Sequence, residues 1–550
     1  MLKRCVGVAG TMMVAGFLVA AVVTLSASAT SLPREIVLGD LGHMTKVSKS
    51  SAPVVTPWPL PAEMIYGSEA SVACLDSTKW AFVAEGACET KSEDENCRDL
   101  HTAFERYSRL LFQSHQSGPK ENCLWEARVE VRQTGLKLDF GVDESYELIV
   151  NQTSVVISAN TVFGAMYGME SLSQITRFNF EEENFEIPGI PWKIIDKPRF
   201  SHRELLIDSA RHFLPVRQVE NVISSLPAAK INTLHWHLED DQSFPLCALV
   251  LPALCQKSGF SENEHYSASD IKHIISFARQ HGVRVVPELD LPGHTKSWCK
   301  AMPEVCVKDG TMISPVNPKT FELIEALIKE IHGLFPDSFF HLGGDEVNLD
   351  SWNKDPATKA YMQENHMDAN AVYLKFVQHA HQTALNLGLV PVGWSEIWQH
   401  FETTLDKSSV LQAWLPGTAT GPANKDYRVI FSTMDFWYLD HLDVSFRGMY
   451  LLDPCKGLTQ EKCQHVIGGG GEMWGETVDT SNILMTVWPR LGLIAERLWS
   501  PASKTQDVRN AQERMKHFRC ILHERGIQAT PVMNSYARRA PNGPGSCLSR

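Results

Sequence analysis

From residue 200 onward the chain alternates short apolar runs with longer amphipathic stretches. The runs at 203–208, 232–238, 283–289, 338–344, 390–394, 410–414, 428–432 and 466–473 read as eight strands, of which the sixth and seventh carry the weakest pattern. Stretches 216–228, 269–281, 319–333, 370–387 and 484–497 have apolar residues at helical spacing and occupy most of the gaps. Strands and helices alternating at this length favour a parallel sheet, and eight such strands predict an α/β fold closed as a (β/α)8 TIM barrel. Upstream, 98–113 and 161–177 read as helices, while 124–131 and 146–150 alternate as strands do. The expected organisation is a small α+β domain over 58–195, the barrel over 196–505 and a C-terminal extension over 506–550. Residues 30–57 are polar and without apolar period, which predicts a linker and places the start of folding near Trp58.

The first residues change the setting. Lys3 and Arg4 precede an apolar run from Val6 to Leu25 and the small residues Ser26-Ala27-Ser28-Ala29, the pattern of a signal peptide cut after Ala29. That run is also close to the roughly 20 apolar residues that span a bilayer, so 1–29 is either a signal peptide or an uncleaved membrane anchor. Both readings put the remainder in the lumen of the secretory pathway. Thirteen cysteines are present, and setting aside Cys5 in the leader leaves an even number, which suits an oxidising compartment. Cys247 with Cys255, Cys299 with Cys306 and Cys455 with Cys463 read as short staples, while Cys74, Cys88, Cys97 and Cys123 pair among themselves in an order that spacing leaves open. Asn151-Gln152-Thr153 is a glycosylation sequon in a polar gap between two strand-like runs. Fifty-one basic against 64 acidic residues give a net charge of −13, and no Lys/Arg run is dense enough to follow a phosphate backbone, which argues against nucleic acid as a partner.

Barrel enzymes build their sites at the C-terminal ends of the strands, and the polar motifs fall there. Residues 339–347 read Phe-Phe-His-Leu-Gly-Gly-Asp-Glu-Val: an apolar strand, two glycines, then adjacent carboxylates Asp345 and Glu346. Neighbouring acids repel, and one use of that repulsion is a general acid whose proton is held near working pH. The plainer reading is a pair of helix N-terminal acids complementing the dipole. His235-Trp236-His237-Leu238-Glu239-Asp240-Asp241 ends the second strand. His235 and His237 point the same way in a strand, so they fit either two ligands of a metal-dependent amidohydrolase or a hydrogen-bonded pair orienting carboxylates. Asp290-Leu291-Pro292-Gly293-His294 follows the third strand. Trp394, Trp414, Trp437 and Trp474 lie at or near later strand ends; singly each fits core packing, but together with Asp440, Glu476 and Arg203 they suit a sugar, whose ring has an apolar face and a hydroxyl edge.

On these residues the chain resembles glycoside hydrolase family 20, the β-N-acetylhexosaminidases, from about Trp58 to Trp499. His202 to His212, His235 to Asp241 and Pro287 to His294 are similar to the family's first three barrel strands, and His341-Leu342-Gly343-Gly344-Asp345-Glu346-Val347 to its catalytic signature. Gly393 to Glu396, Trp437 to Asp440 and Glu472 to Glu476 resemble the later active-site segments. The resemblance implies Glu346 as general acid/base, with Asp345 and Tyr438 holding the substrate's 2-acetamido group. It implies Arg203, Asp440 and Glu476 on sugar hydroxyls, Trp394, Trp414 and Trp474 around the ring, and Asp240, His294 and His235 in support. No cofactor or metal belongs to this reading, and homodimers are common in the family. Ser395 stands where the family often has an acid, and Ser351 where animal members commonly carry a disulfide cysteine. A sugar-binding module without catalysis is the third reading, hard to square with an intact Asp345-Glu346 pair.

Overall fold

The computed structural model describes residues 55–532 apart from 91, 92, 114 and 116; the leader, most of the linker and the last part of the C-terminal extension lie outside the described residues. Eight parallel strands close into a barrel: β1 (His202–Asp208), β2 (Thr233–His237), β3 (Arg284–Glu288), β4 (Phe339–His341), β5 (Val390–Trp394), β6 (Val410–Ala413), β7 (Arg428–Phe431) and β8 (Val466–Met473). All eight expected strands are present, the weak sixth and seventh included. Strand β4 is shorter than its apolar run because Gly343 and Gly344 take positive φ, where the chain leaves the sheet. Closure pairs β1 with β8, His202 opposite Gly468. Gly470 faces Glu204 there: a Cβ would come 2.1 Å from the Glu204 Cγ, so the glycine makes room for a carboxylate inside the lumen.

The helices between strands carry caps that fix where they begin. Ser267 and Asp270 form a capping box at Ala268–Gln280, and the Asn317 side chain accepts from the Lys319 amide at Pro318–Leu334. One expectation needs correction. The stretch 484–497 is two helices, Ile483–Val487 and Arg490–Trp499, because Pro489 cannot donate a backbone bond and interrupts the turn.

Ahead of the barrel, a six-stranded mixed sheet packs on helices Glu95–Phe112 and Val162–Ile175, with a separate three-stranded sheet beside it. Its core is apolar, built from residues such as Leu148, Ile157, Phe163 and Leu172, and is completed by Trp499 from the last barrel helix. The Trp499 indole donates to Asp196 and its ring meets Tyr167 edge-on. Trp58 belongs instead to the barrel core: it stacks on Phe518 of helix Val508–Glu524 and donates its indole N–H to the Gly492 carbonyl. The three expected cysteine staples form, and the open set resolves as Cys74–Cys123 and Cys88–Cys97. Among the described residues no helix is long and apolar enough to cross a membrane.

Candidate active site

Every strand delivers polar or aromatic side chains to one rim: Asp208 and Arg211 at β1, Asp240 at β2, Asp290 and His294 at β3, Asp345 and Glu346 at β4, Trp394 and Glu396 at β5, Trp414 at β6, Tyr438 and Asp440 at β7, Trp474 and Glu476 at β8. The β4 turn holds the two acids. Gly343 has φ +60° and packs so close to Asp290 that a Cβ would lie 1.7 Å from its Oδ1, while the Gly344 amide donates to that same oxygen. Glu346 itself sits at φ +50°, a backbone geometry that side-chain-bearing residues adopt at a cost and that clusters at working sites. The turn buries Asp345 and leaves the Glu346 side chain 60% exposed.

His294 stands among four carboxyl groups. Its Nδ1 lies 3.4 Å from Asp240, and its Nε2 lies 3.6 Å from Glu346, 3.7 Å from Asp345 and 3.8 Å from Asp290. Burial disfavours the imidazolium, but the Asp290 charge, the Asp240 bond and Asp345 outweigh it and push His294 up to about 11. Burial lifts the Asp345 carboxyl well above the usual range, Asp290 adds to the rise and His294 opposes it. Burial, followed by the Asp345 charge, also raises Glu396 to about 8 despite the Trp414 indole bond it accepts at 2.7 Å.

The aromatic wall is continuous. Trp414 stacks on Tyr438 at 6.1 Å, Tyr438 lies 6.3 Å from Trp474, and Trp474 lies 5.8 Å from Trp394. Trp437 is not part of it: it is fully buried, packs edge-on against Phe431 and donates to the Met449 carbonyl. The expectation for Arg203 is also corrected. As the second residue of β1 it lies at the opposite end of the barrel, fully buried, with its guanidinium forked onto Glu144. Three residues beyond β1, Arg211 takes the place at the rim: it donates to Asp208 at 3.0 Å, pairs with Asp240 at 2.6 Å and lies over the Trp474 ring. The strand's direction was the signal that could have found Arg211, since the site lies beyond strand C-termini and Arg203 near the N-terminus.

His235 and His237 do share the lumen, but His237 engages Glu288 through Nδ1 at 2.7 Å and Asp240 through Nε2 at 2.9 Å, so both ring nitrogens hold carboxylates. His235, Glu288 and His341 bring donor atoms within 4.8 Å of one another, as do Glu204, His235 and Glu472. Each of those histidines faces a Glu288 oxygen, at 3.0 Å for His235 and 3.1 Å for His341, and His341 Nδ1 also accepts the Gly343 amide N–H at 3.0 Å. The Ser351 hydroxyl donates to Asp309, and Ser395 is buried beside Glu396.

Residues 200–502 match the glycosyl hydrolase family 20 catalytic domain and residues 57–175 a beta-acetyl hexosaminidase-like domain. Beta-hexosaminidase 1 of Arabidopsis thaliana is 38% identical over 550 residues, covering 95% of this chain and 100% of the relative. The beta-hexosaminidase subunit beta of Homo sapiens is 32% identical over 80% of this chain and 83% of its own length. Among solved structures, the chitobiase of Flavobacterium johnsoniae is similar at TM-score 0.77 and 28% identity, covering 86% of this chain and 73% of that one. With matches spanning both the barrel and the module before it, the chain belongs to glycosyl hydrolase family 20 and is a glycoside hydrolase.

Proposed function

We propose that the chain is a retaining exo-β-N-acetylhexosaminidase that removes terminal non-reducing GlcNAc or GalNAc from glycans or chitooligosaccharides in a lumenal or extracellular setting. One observation carries this reading. Arg211 Nε, His294 Nε2, Asp345 Oδ1 and Asp440 Oδ1 are buried at the rim without a hydrogen-bond partner among the described residues. Buried polar atoms are normally satisfied, and a set of donors and acceptors converging beside an aromatic wall matches the hydroxyls and acetamido group of an amino sugar.

Family 20 enzymes are a substrate-assisted exception to the two-carboxylate rule of glycoside hydrolysis. In that mechanism the acetamido oxygen attacks the anomeric carbon as the glycosidic C–O bond breaks, and Glu346 gives its proton to the leaving oxygen. An oxazolinium forms, which Asp345 steadies from the acetamido nitrogen. Glu346 then takes a proton from water as that water adds to the anomeric carbon, reopening the ring with net retention. A tethered nucleophile has a high effective concentration, and a carboxyl lifted above its usual range gains most from a positive charge developing beside it. Tyr438 holds the acetamido oxygen, Arg211, Asp440 and Glu476 take the hydroxyls, and Trp394, Trp414 and Trp474 enclose the ring.

The test is hydrolysis of chromogenic β-N-acetylglucosaminide and β-N-acetylgalactosaminide, with and without a thiazoline mimic of the oxazoline. Turnover that the thiazoline blocks supports the mechanism, and the ratio of the two rates defines the preference. Well-folded protein that hydrolyses neither substrate overturns the reading.

A further inference from the structure

Beneath the rim lies a carboxylate that the proposed chemistry does not touch. Glu288, the last residue of β3, is fully buried. Its Oε1 accepts the Trp394 indole N–H at 2.8 Å and lies 3.1 Å from His341 Nδ1. Its Oε2 lies 2.7 Å from His237 Nδ1 and 3.0 Å from His235 Nε2. Four groups from β2, β4 and β5 therefore converge on one side chain.

Two arms leave it. One is the Trp394 bond, which sets the angle of an indole in the substrate wall. The other runs from His237 through Asp240 to His294, which stands between the catalytic carboxyls. We propose that Glu288 is a positioning residue for the glycosidase reaction: a buried anion that orients Trp394 and anchors His237–Asp240–His294, without contacting substrate. The inference rests on the hexosaminidase reading of the rim.

The surrounding charges fit a hub. Glu204 and Glu472 reach into the same lumen from β1 and β8, each taking a Gln412 amide bond, and Glu204 meets His202 at 2.7 Å. Asp240 and Asp290 face it from the rim side. Within this set, burial opposes the His237 imidazolium, and Glu288 is the first of the charges that hold it well above its usual range. Burial pushes Asp240 up, but the bonds from His237 and His294 hold it well below the carboxylate range. Glutamine at 288 has the same shape, one acceptor oxygen and no charge. It can serve Trp394 or His237 but leaves the other N–H against an amide, and it removes the anion that keeps His237 charged. Asp240 then titrates higher, and the acid limb of kcat/KM moves to higher pH.

The experiment measures steady-state kinetics across pH for wild type, Glu288→Gln, Trp394→Phe, His237→Gln and the Glu288→Gln/Trp394→Phe double variant on a chromogenic β-N-acetylglucosaminide. Glu288→Gln is expected to lower kcat/KM by about 10- to 100-fold, in both kcat and KM, and to shift the acid limb upward. On the Trp394→Phe background it should add no further rise in KM while still lowering kcat, because the indole arm is already cut. His237→Gln should reproduce the shifted limb with little change in KM, and it tests the second arm even if Glu288→Gln does not fold. Wild-type kinetics with an unmoved limb in either Glu288→Gln or His237→Gln, or a fully additive KM loss in the double variant, overturns the hub. Wild-type protein inactive on the glycoside overturns the reading beneath it instead.

Discussion

At the N-terminal end of the barrel each buried cation has a carboxylate of its own: Arg203 meets Glu144, Lys230 meets Asp196 and Arg284 meets Asp337, at 2.7 to 2.8 Å. At the C-terminal end Asp208, Asp240, Asp290, Asp345 and Glu346 gather around Arg211 and His294, and Glu396 lies beside Asp345 with no cation of its own among the described residues. Both ends bury charge, but only the first matches it one to one. Matched pairs leave nothing for a ligand, and two of them, Arg203–Glu144 and Lys230–Asp196, join the barrel to the module before it. There burial, reinforced by neighbouring carboxylates, raises the proton affinity of Asp290, Asp345 and Glu396, while bonds from His237 and His294 hold Asp240 low, and groups pushed apart in this way are what acid/base chemistry needs. Charge balance, more than burial, separates the structural end from the working end.

Replacing the exposed acid of the unbalanced end, Glu346→Gln, should lower kcat by about 10²- to 10⁴-fold while a thiazoline still binds, measured by turnover and calorimetry. Near-normal turnover removes the acid from Glu346. Cutting one matched pair should instead destabilise the fold. Arg203→Ala strands Glu144 and should cost about 3–5 kcal/mol in denaturant unfolding with kcat/KM of the folded fraction little changed, whereas Arg211→Ala strands Asp208 and Asp240 and should lower kcat/KM of the folded fraction by about 10- to 100-fold besides its stability cost. The reverse pattern would exchange the roles of the two ends. Asp345→Asn should lower kcat/KM by about 10²-fold on N-acetylated substrates, and equal loss on substrates without that group would sink its proposed role.

The smallest effect is on pH. Glu396 moves from an ordinary 4.5 to about 8, so folding binds a proton there, and stability falls as pH rises from about 5 to about 8. Glu396→Gln should remove that decline, gaining on the order of 1 kcal/mol at pH 8 relative to pH 5 by thermal unfolding. An unchanged slope would place Glu396 in water.

The barrel was legible in the sequence because each strand is a short apolar run and each rim motif follows one. The Asp345-Glu346 pair, Tyr438, Asp440 and the walls of Trp394, Trp414 and Trp474 stand where those runs predict. Arg203 lies away from the site although its neighbours resemble a functional motif, because its place, one residue into β1, puts it at the far end. Glu204, Glu288 and Glu472 were passed over because a carboxylate inside a strand reads as a break in an apolar pattern, and only the lumen shows that histidines and Gln412 receive them. The pairing of Cys74 with Cys123 depends on a sheet contact that spacing does not encode. Pro489 was visible, but the apolar period on both sides of it masked the break.

Trp499 closes the core of a module whose other members precede it by more than 300 residues, as its bond to Asp196 shows. A ribosome releases the chain from the N-terminus, so that module emerges with a tryptophan-sized hole in its apolar interior. It must wait for the whole barrel to be synthesised before the hole is filled. Chains that stop short of residue 499 should therefore leave that module's apolar core unfinished, and quality control in the compartment of synthesis would meet them as misfolded, however complete their strands.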